Sequence, residues 1–292
     1  TMSVGATPVS MNKFTLMLAP NTQPNLDEIS YPKLIQPKID GFRAIYIPGK
    51  GLVGRNGKKI RNINLKTHFN DLYANSTMVF DGELYGHRLG FNNIASILNS
   101  EEKPIPAEIK YYVFDCMDLK CWNSKNCSLK YNERLLLCEF YSKYKGERFN
   151  NINTLPTDTV NNKQEVERKY EEYLDDGYEG AIIKDSKAIY TWKRVTLNSE
   201  VLMKVKPFET FDLKVIGSEE GEGKYKNKLG KLIVDYKGVE VGVGSGFTDE
   251  ERSTFWSQRK ALVGQTIEVR GMEVTVDKSI RHPVYKRFRA DK

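Results

Sequence analysis

Six consecutive residues, Lys38-Ile39-Asp40-Gly41-Phe42-Arg43, put a primary amine, a carboxylate and a guanidinium around one glycine turn. That set suits phosphate chemistry. An amine at the end of a strand is able to attack the α-phosphate of a bound nucleotide, with Asp40, Gly41 and Arg43 shaping the turn and its polar contacts. A lysine at its ordinary pKa is only about one part in 2,500 neutral at pH 7, so such a site needs neighbouring cations or a metal to shed the proton. Taken alone, the hexapeptide reads equally well as a solvated β-turn, because Asp-Gly favours one. The elements around it must supply the rest of the site.

Leu34 to Pro37 leads into Lys38 as a strand, and Phe42 to Ile47 with Leu52 to Arg55 reads as a hairpin turned at Pro48 to Gly51. Arg55-Asn56-Gly57 leaves that hairpin, as a plain turn or as a phosphate contact. Leu65, Phe69, Leu72 and Tyr73 recur at i, i+4, i+7, i+8, which predicts an amphipathic helix over Asn64 to Ala74. Met78 to Tyr85 is a buried strand carrying Glu83, whose carboxylate either accepts ribose hydroxyls or pairs with a lysine. Ile109 to Asp115 is the next strand, with Phe114 either core or a surface for a base to stack on. Helices follow over Tyr131 to Lys145 and after Asn162, the latter capped by Asn162 with Glu165 and stopped at Gly177. Glu179 then opens an apolar strand, positioned to hold a metal or its water. Val201 to Lys206 alternates apolar and basic, which predicts Lys204 and Lys206 on one face of a strand. Two ammoniums there form a phosphate clamp that also depresses the pKa of Lys38, or a solvated face.

Pro207 closes this region. Phe211 to Gly217, Leu229 to Tyr236, Val239 to Val243 and Thr266 to Val276 read as strands of a small all-β unit, interrupted by a helix over Asp249 to Leu262 with Thr248 and Glu251 as its capping box. Lysines and aromatics interleave at Lys224-Tyr225-Lys226-Asn227-Lys228 and again from Lys278 to Lys292, a pattern that suits backbone phosphates; a solvated loop is the alternative for the first.

Length and charge frame this reading. A chain of 292 residues exceeds the usual single domain and predicts two of unequal size. With 45 Lys+Arg against 38 Asp+Glu the net charge is +7, which suits a polyanionic partner. No run approaches the roughly 20 apolar residues that span a bilayer, so a soluble protein without membrane contact is expected. Cys116, Cys121, Cys127 and Cys138 lack a C-x-x-C pair and no histidine lies among them, which points to reduced thiols rather than zinc ligands or disulfides. The N-terminus has no signal-peptide pattern, so a cytoplasmic setting is expected. Thr1 to Ser10 read as an appended leader before Met11, with Met2 an alternative start.

Beyond Lys38 to Arg43 the chain carries, in order, Arg55-Asn56-Gly57, Asp81-Gly82-Glu83-Leu84, Tyr112-Val113-Phe114-Asp115, Glu179 to Lys184, Leu202 to Pro207 and the terminal Arg289-Ala290-Asp291-Lys292. This ordered series resembles the covalent nucleotidyltransferases, and most closely the small ATP-dependent DNA ligases, from about Met17 to the last residue. The resemblance implies an α+β nucleotidyltransferase domain with antiparallel sheets and flanking helices over Met11 to Phe208, then an OB-fold barrel over Glu209 to Lys292. It implies a monomer that uses ATP and Mg²⁺ to seal 5'-phosphate/3'-hydroxyl nicks in duplex DNA, such as a phage or bacterial accessory enzyme, without the extra N-terminal DNA-binding domain of larger ligases. By the same resemblance Lys38 is the nucleophile. Gln36, Ile39, Arg43, Glu83, Phe114, Lys204, Lys206 and Arg289 surround the nucleotide, Glu83 and Glu179 hold the metal, and Arg55, Lys224, Lys226 and Lys228 touch DNA. Between Gly217 and Leu229 there is room only for a short loop, so the resemblance stops short of the long hairpin with which some viral relatives encircle DNA. An mRNA capping guanylyltransferase, an RNA ligase and a catalytically silent nick-binding module are the alternatives.

Overall fold

A computed structural model describes residues 13–143, 151–207, 209–274 and 279–291. The expectations placed on residues 1–11, on the last two residues of the helix ending at Lys145, on the end of the strand reaching Val276 and on Phe208, Lys278 and Lys292 lie outside these. The chain divides into two compact units, one containing Pro24–Val205 and the other Lys206–Lys292 with the short Asn21–Gln23 segment.

The first unit is built on two sheets. The strands are β1 (Lys33–Lys38), β2 (Phe42–Ile47), β3 (Gly51–Gly54), β4 (Met78–Tyr85), β5 (Lys110–Asp118), β6 (Ile152–Asn153), β7 (Asp158–Val160), β8 (Gly180–Lys184) and β9 (Leu202–Val205). One sheet runs β3-β2-β4-β5-β6 and the other β7-β1-β8-β9. All pairings are antiparallel except β5 with β6. The central strand β4 is buried along nearly its whole length because both faces of its sheet are covered. In the neighbouring β2, alternation sends Ala44 and Tyr46 into one core, with Phe69, Leu72, Ile94 and Leu98, and Ile45 and Ile47 into another, with Met17, Trp122 and Tyr190.

The helices of this unit are α1 (Leu65–His68), α2 (Asn70–Tyr73), α3 (Phe91–Leu98), α4 (Leu119–Ser124), α5 (Tyr131–Lys143) and α6 (Lys163–Asp175). The single helix expected over Asn64 to Ala74 is broken at Phe69, which adopts φ −118°, ψ 42° and is buried. Thr67, His68, Asn70 and Asp71 are weak helix formers, and burying the Phe69 ring outweighs the continuity of so short a helix. Helices α3 and α4 lie outside the sequence expectation; α4 is set by Asp118, whose carboxylate accepts from the amides of Lys120 and Cys121. In α6 the Asn162 side chain accepts from the Glu165 amide, and the chain leaves the helix at Gly177 with φ 89°.

The second unit has strands β10 (Glu209–Glu220), β11 (Leu229–Tyr236), β12 (Val239–Val243), β13 (Thr266–Val274) and β14 (Ile280–Phe288), in the order β12-β11-β10-β13-β14. Bulges near Gly217 and Glu220 bend the long β10 so that it pairs on both sides. A bridge between Ser245 and Val284 brings the two ends of the sheet together as in a barrel. The capping box forms as expected from Thr248 and Glu251, but the helix is interrupted at Gln258, giving α7 (Asp249–Ser257) and α8 (Arg259–Leu262). Most of the basic C-terminal stretch is itself a strand, β14.

Candidate active site

Lys38 ends β1 and Phe42 opens β2, and these strands belong to different sheets, so Ile39–Gly41 crosses from one sheet to the other. Lys38 lies opposite Gly180 in the ladder with β8, and the Glu179 amide donates to the Lys38 carbonyl at 3.0 Å. This register sets the Glu179 carboxylate beside the Lys38 amine, with which it forms an ion pair. The crossing itself needs glycine: a Cβ at Gly41 would come within 2.8 Å of the Leu84 carbonyl and 3.0 Å of Glu83 Oε2. The Gly41 amide donates to that same Oε2 at 3.1 Å. Burial pushes the Glu83 carboxyl up to about 6, against the pull of Arg43, Lys38 and the Gly41 amide.

Arg43 faces Glu83 across the β2–β4 ladder, and Asp81, two residues before Glu83, shares its face. Arg43 grips Asp81 through two bonds of 2.7 Å and donates a third to the Met17 carbonyl. The Tyr190 hydroxyl donates to Asp81 at 2.7 Å and accepts the Met17 amide. The guanidinium is thereby fixed before any ligand arrives.

Phe114 owes its position to a β-bulge. Asp81 pairs with Asp115 while Gly82 pairs with Val113, so Phe114 is the unmatched residue of β5 and its ring lines the cavity. Arg43 and Lys184 lie 5.0 and 4.9 Å from the ring centroid. Next in sequence, the buried Asp115 is paired with Arg134 of α5 at 2.6 Å, and Arg134 also donates to the Leu129 and Ala188 carbonyls. Breaking such a buried pair by removing one partner costs about 3–5 kcal/mol.

Gln36, buried in β1, sends both amide hydrogens to hydroxyls, of Tyr131 and Thr157, each at 2.9 Å. The Lys184 amine donates to the same Tyr131 hydroxyl at 3.1 Å. Burial pushes that amine down to about 8, against the nearby Asp115.

Gln36, Lys38, Ile39, Arg43, Arg55, Glu83, Phe114 and Lys204 all line one cavity of about 240 Å³, together with Asp81, Asp115, Tyr131, Arg134, Lys184 and Tyr190. Lys204 reaches it from β9, opposite Ile182. The expected partnership of Lys204 and Lys206 on one strand is not formed. β9 stops at Val205, and the Lys206 amide and carbonyl bond the side chain of Gln23 in the second unit. Pro207 offers no N–H to continue the ladder.

Arg289 also belongs to the second unit, where carboxylates surround it: Asp291 by two bonds of 2.8 and 2.9 Å, Asp212 at 3.3 Å and Glu268 at 3.7 Å. Lys224 and Lys226 are exposed and Lys228 is half-buried. Their turn is held by Glu220, which accepts from the Asn227 amide, and by Tyr225, whose ring lies 4.4 Å from the Arg252 guanidinium and 4.7 Å from the Lys224 amine.

Asp81, Asp115 and Lys184 lie within motifs that the sequence singles out, but without a role assigned to them there. Tyr131, Arg134 and Tyr190 carry no signal in spacing or pattern, since only the fold brings them to the cavity. Among the described residues no group of three or more His, Cys, Asp or Glu is arranged to hold a metal ion. Glu83 and Glu179 remain as a pair of hard oxygen donors beside Lys38, which fits Mg²⁺, an ion commonly held by one or two carboxylates and substrate phosphates. No described helix is long and apolar enough to cross a membrane.

Comparison with known proteins gives the family of the chain. The family model of the ATP dependent DNA ligase domain matches residues 16–206, and that of the DNA ligase OB-like domain matches residues 220–289. A DNA ligase of African swine fever virus (isolate Warthog/Namibia/Wart80/1980) is 30% identical over 68% of this chain and 47% of its own length. A DNA ligase of Methanococcus aeolicus is 34% identical over 59% of this chain and 30% of its own. The chain thus spans about half the length, or less, of these curated relatives. In fold it is similar to Chlorella virus DNA ligase-adenylate, with a TM-score of 0.56 and 24% identity over 94% of this chain and 99% of that one.

Proposed function

The chain belongs to the ATP-dependent DNA ligase family, and from that premise we propose that it seals 5'-phosphate/3'-hydroxyl nicks in duplex DNA through a lysyl-AMP intermediate on Lys38. The observation that carries this reading is the meeting of the Lys38 amine with Glu179, Glu83 and Arg43 at the crossing between two sheets. In the first step the Lys38 amine, its proton passed toward Glu179, attacks the α-phosphorus of ATP. A P–N bond forms as the bond to pyrophosphate breaks. AMP then passes to the nick 5'-phosphate, and the 3'-hydroxyl displaces it to form the phosphodiester. Arg43, locked by Asp81, and Lys204 supply fixed positive charge to the phosphates, and such transfers depend mainly on positioning and charge. Mg²⁺, held by Glu83 and Glu179, would neutralise charge on the phosphate oxygens. The direct test is incubation with ATP and magnesium. A gain of one AMP in mass on the peptide containing Lys38, followed by joining of a nicked duplex, is expected; no adduct on that peptide overturns the reading.

Gln36 favours ATP over GTP, and so disfavours the capping-enzyme alternative. With both amide hydrogens committed to Tyr131 and Thr157, its carbonyl oxygen is left to meet a base edge. An acceptor there suits the exocyclic amine of adenine and repels O6 of guanine. Replacing Gln36 by Leu is expected to reduce the preference for ATP over GTP by roughly 10- to 100-fold, the scale of one such base-edge contact. The ratio of labelled adducts formed from the two nucleotides measures it.

The turn carrying Lys224, Lys226 and Lys228 supports DNA contact in the second unit. Replacing all three by Ala should leave AMP adduct formation intact. It should lower the salt slope of nick binding by about 0.9 for each phosphate that is no longer neutralised. An unchanged slope in a titration from low to moderate salt removes this turn from the interface.

A further inference from the structure

The segment that delivers Glu179 to Lys38 is tied at each step as it leaves α6. The Tyr178 amide donates to the Tyr173 carbonyl at 2.9 Å and the Gly177 amide to the Leu174 carbonyl at 3.0 Å, so the helix closes in a Schellman motif with Gly177 at φ 89°. The Tyr178 ring meets that of Tyr173 edge-on and packs against two of the cores of this unit, one against each sheet. The next amide, that of Glu179, is the one held by the Lys38 carbonyl.

A further tie comes from the other sheet. His87 lies two residues past the end of β4, and its ring rests 4.7 Å from that of Tyr178. Its Nε2 meets the Asp176 carbonyl at 2.6 Å and its Nδ1 meets the Tyr85 hydroxyl at 2.7 Å. A carbonyl can only accept, so Nε2 carries the hydrogen and Nδ1 accepts from Tyr85. Tyr85 is buried at the end of β4, two residues beyond Glu83. A tight turn presents the imidazole: the Leu89 amide donates to the Gly86 carbonyl at 3.1 Å, and Arg88 takes φ 70°, a conformation that a residue with a side chain adopts only where its surroundings hold it.

Glu83 and Glu179 reach Lys38 from different sheets, so their spacing is set by the crossing at Ile39–Gly41 and by side chains rather than by a shared ladder. We propose that His87 is a positioning residue for the reaction, a single imidazole that ties the exit of α6 to the end of β4 and thereby holds the Glu179 carboxylate beside Lys38. His87 does not line the cavity, so what passes from it to the reaction is the placement of Glu179. Gln36, Arg43 and Lys204 enter the cavity from β1, β2 and β9, and their hold on ATP should survive loss of the bridge. This inference rests on the lysyl-AMP reading and deepens it.

The test follows single-turnover labelling of the full chain over a range of ATP concentrations, which separates the maximal rate from the half-saturating concentration. His87→Ala should lower the maximal rate by roughly 10- to 100-fold, the usual cost of losing a group that orients a reacting one. The half-saturating ATP concentration should stay nearly constant. His87→Gln places an amide nitrogen where Nε2 lies and keeps the bond to Asp176, so it should recover all but roughly 3-fold, the scale of the one neutral hydrogen bond lost to Tyr85. His87→Asn places its amide near Nδ1 and falls short of Asp176, so it should be as slow as alanine. In a chain already carrying Glu179→Gln, adding His87→Ala should slow labelling no further, because the group it positions is gone. Equal loss in both backgrounds, a loss carried by ATP affinity, or a Gln variant no faster than the Asn variant overturns the proposal and leaves the ligase reading standing. If the alanine variant does not fold, the Gln–Asn contrast between chains of matched unfolding temperature still decides. Absence of an adduct on Lys38 in the unaltered chain overturns the ligase reading, and is distinguished by appearing before any substitution is made.

Discussion

Replacement of Lys38 by Ala or by Arg is expected to abolish AMP adduct formation, with a loss of roughly 10⁴-fold or more, the scale on which removal of a catalytic nucleophile registers. Alanine has no amine, and a guanidinium stays protonated and offers no lone pair to phosphorus. The guanidinium introduced by Lys38→Arg would still neutralise Glu179, so this variant separates loss of the nucleophile from loss of the Lys38–Glu179 ion pair. Lys38 sits at a strand end with its side chain partly exposed and belongs to none of the hydrophobic cores, so both variants should unfold at nearly the temperature of the unaltered chain. The measurement is transfer of label from ATP to protein, with peptide mapping. Label on another lysine in the alanine variant would falsify the assignment of the nucleophile.

Loss of Arg289 should divide the reaction into its steps. In the proposed sequence, pyrophosphate leaves only when Lys38 is adenylated, and a guanidinium that orients or neutralises it has no part in sealing a nick already carrying a 5'-adenylate. Arg289→Ala is therefore expected to slow reaction with ATP by roughly 10²- to 10³-fold, the usual cost of deleting one charge-stabilising group. Most of the activity on a pre-adenylated nick should survive. The resting contacts of Arg289 with Asp291, Asp212 and Glu268 mean that a phosphate must compete with three carboxylates for it, so the effect should show in the ATP dependence of the step. A truncation that begins at Arg289 is the matching deletion, because Phe288 pairs with Ile267 and packs into the core of the second unit. Equal loss on ATP with nick and on pre-adenylated nick would reduce Arg289 to a structural or DNA-binding role.

The amino-acid order by itself determined what depends on near neighbours. Asp-Gly between two strands, the Asn162 and Thr248 caps, the hairpin at Pro48 to Gly51 and the apolar runs of β4 and β8 are local events. Propensity, capping and period are legible there because the interacting groups lie within a few residues of each other. The ordered motifs likewise disclosed the family, since each is a short string. Failures came where a local preference met a distant demand. Phe69 broke a helix to reach the core and β9 ended one residue before Lys206, while β14 formed from a stretch read only for its charge and aromatics, because β13 was there to pair with it.

The cavity was decided by tertiary structure. Arg43 is oriented by Asp81 and Met17, 38 and 26 residues from it in sequence, and through Asp81 by the still more remote Tyr190. Phe114 is turned toward the site by a bulge that appears only when β4 and β5 are aligned. Gln36 acquires its direction from Tyr131 and Thr157, 95 and 121 residues away. A sequence can specify such groups one by one, but their hydrogen-bonding directions and pKa shifts arise only when folding excludes water and brings remote partners within about 3 Å.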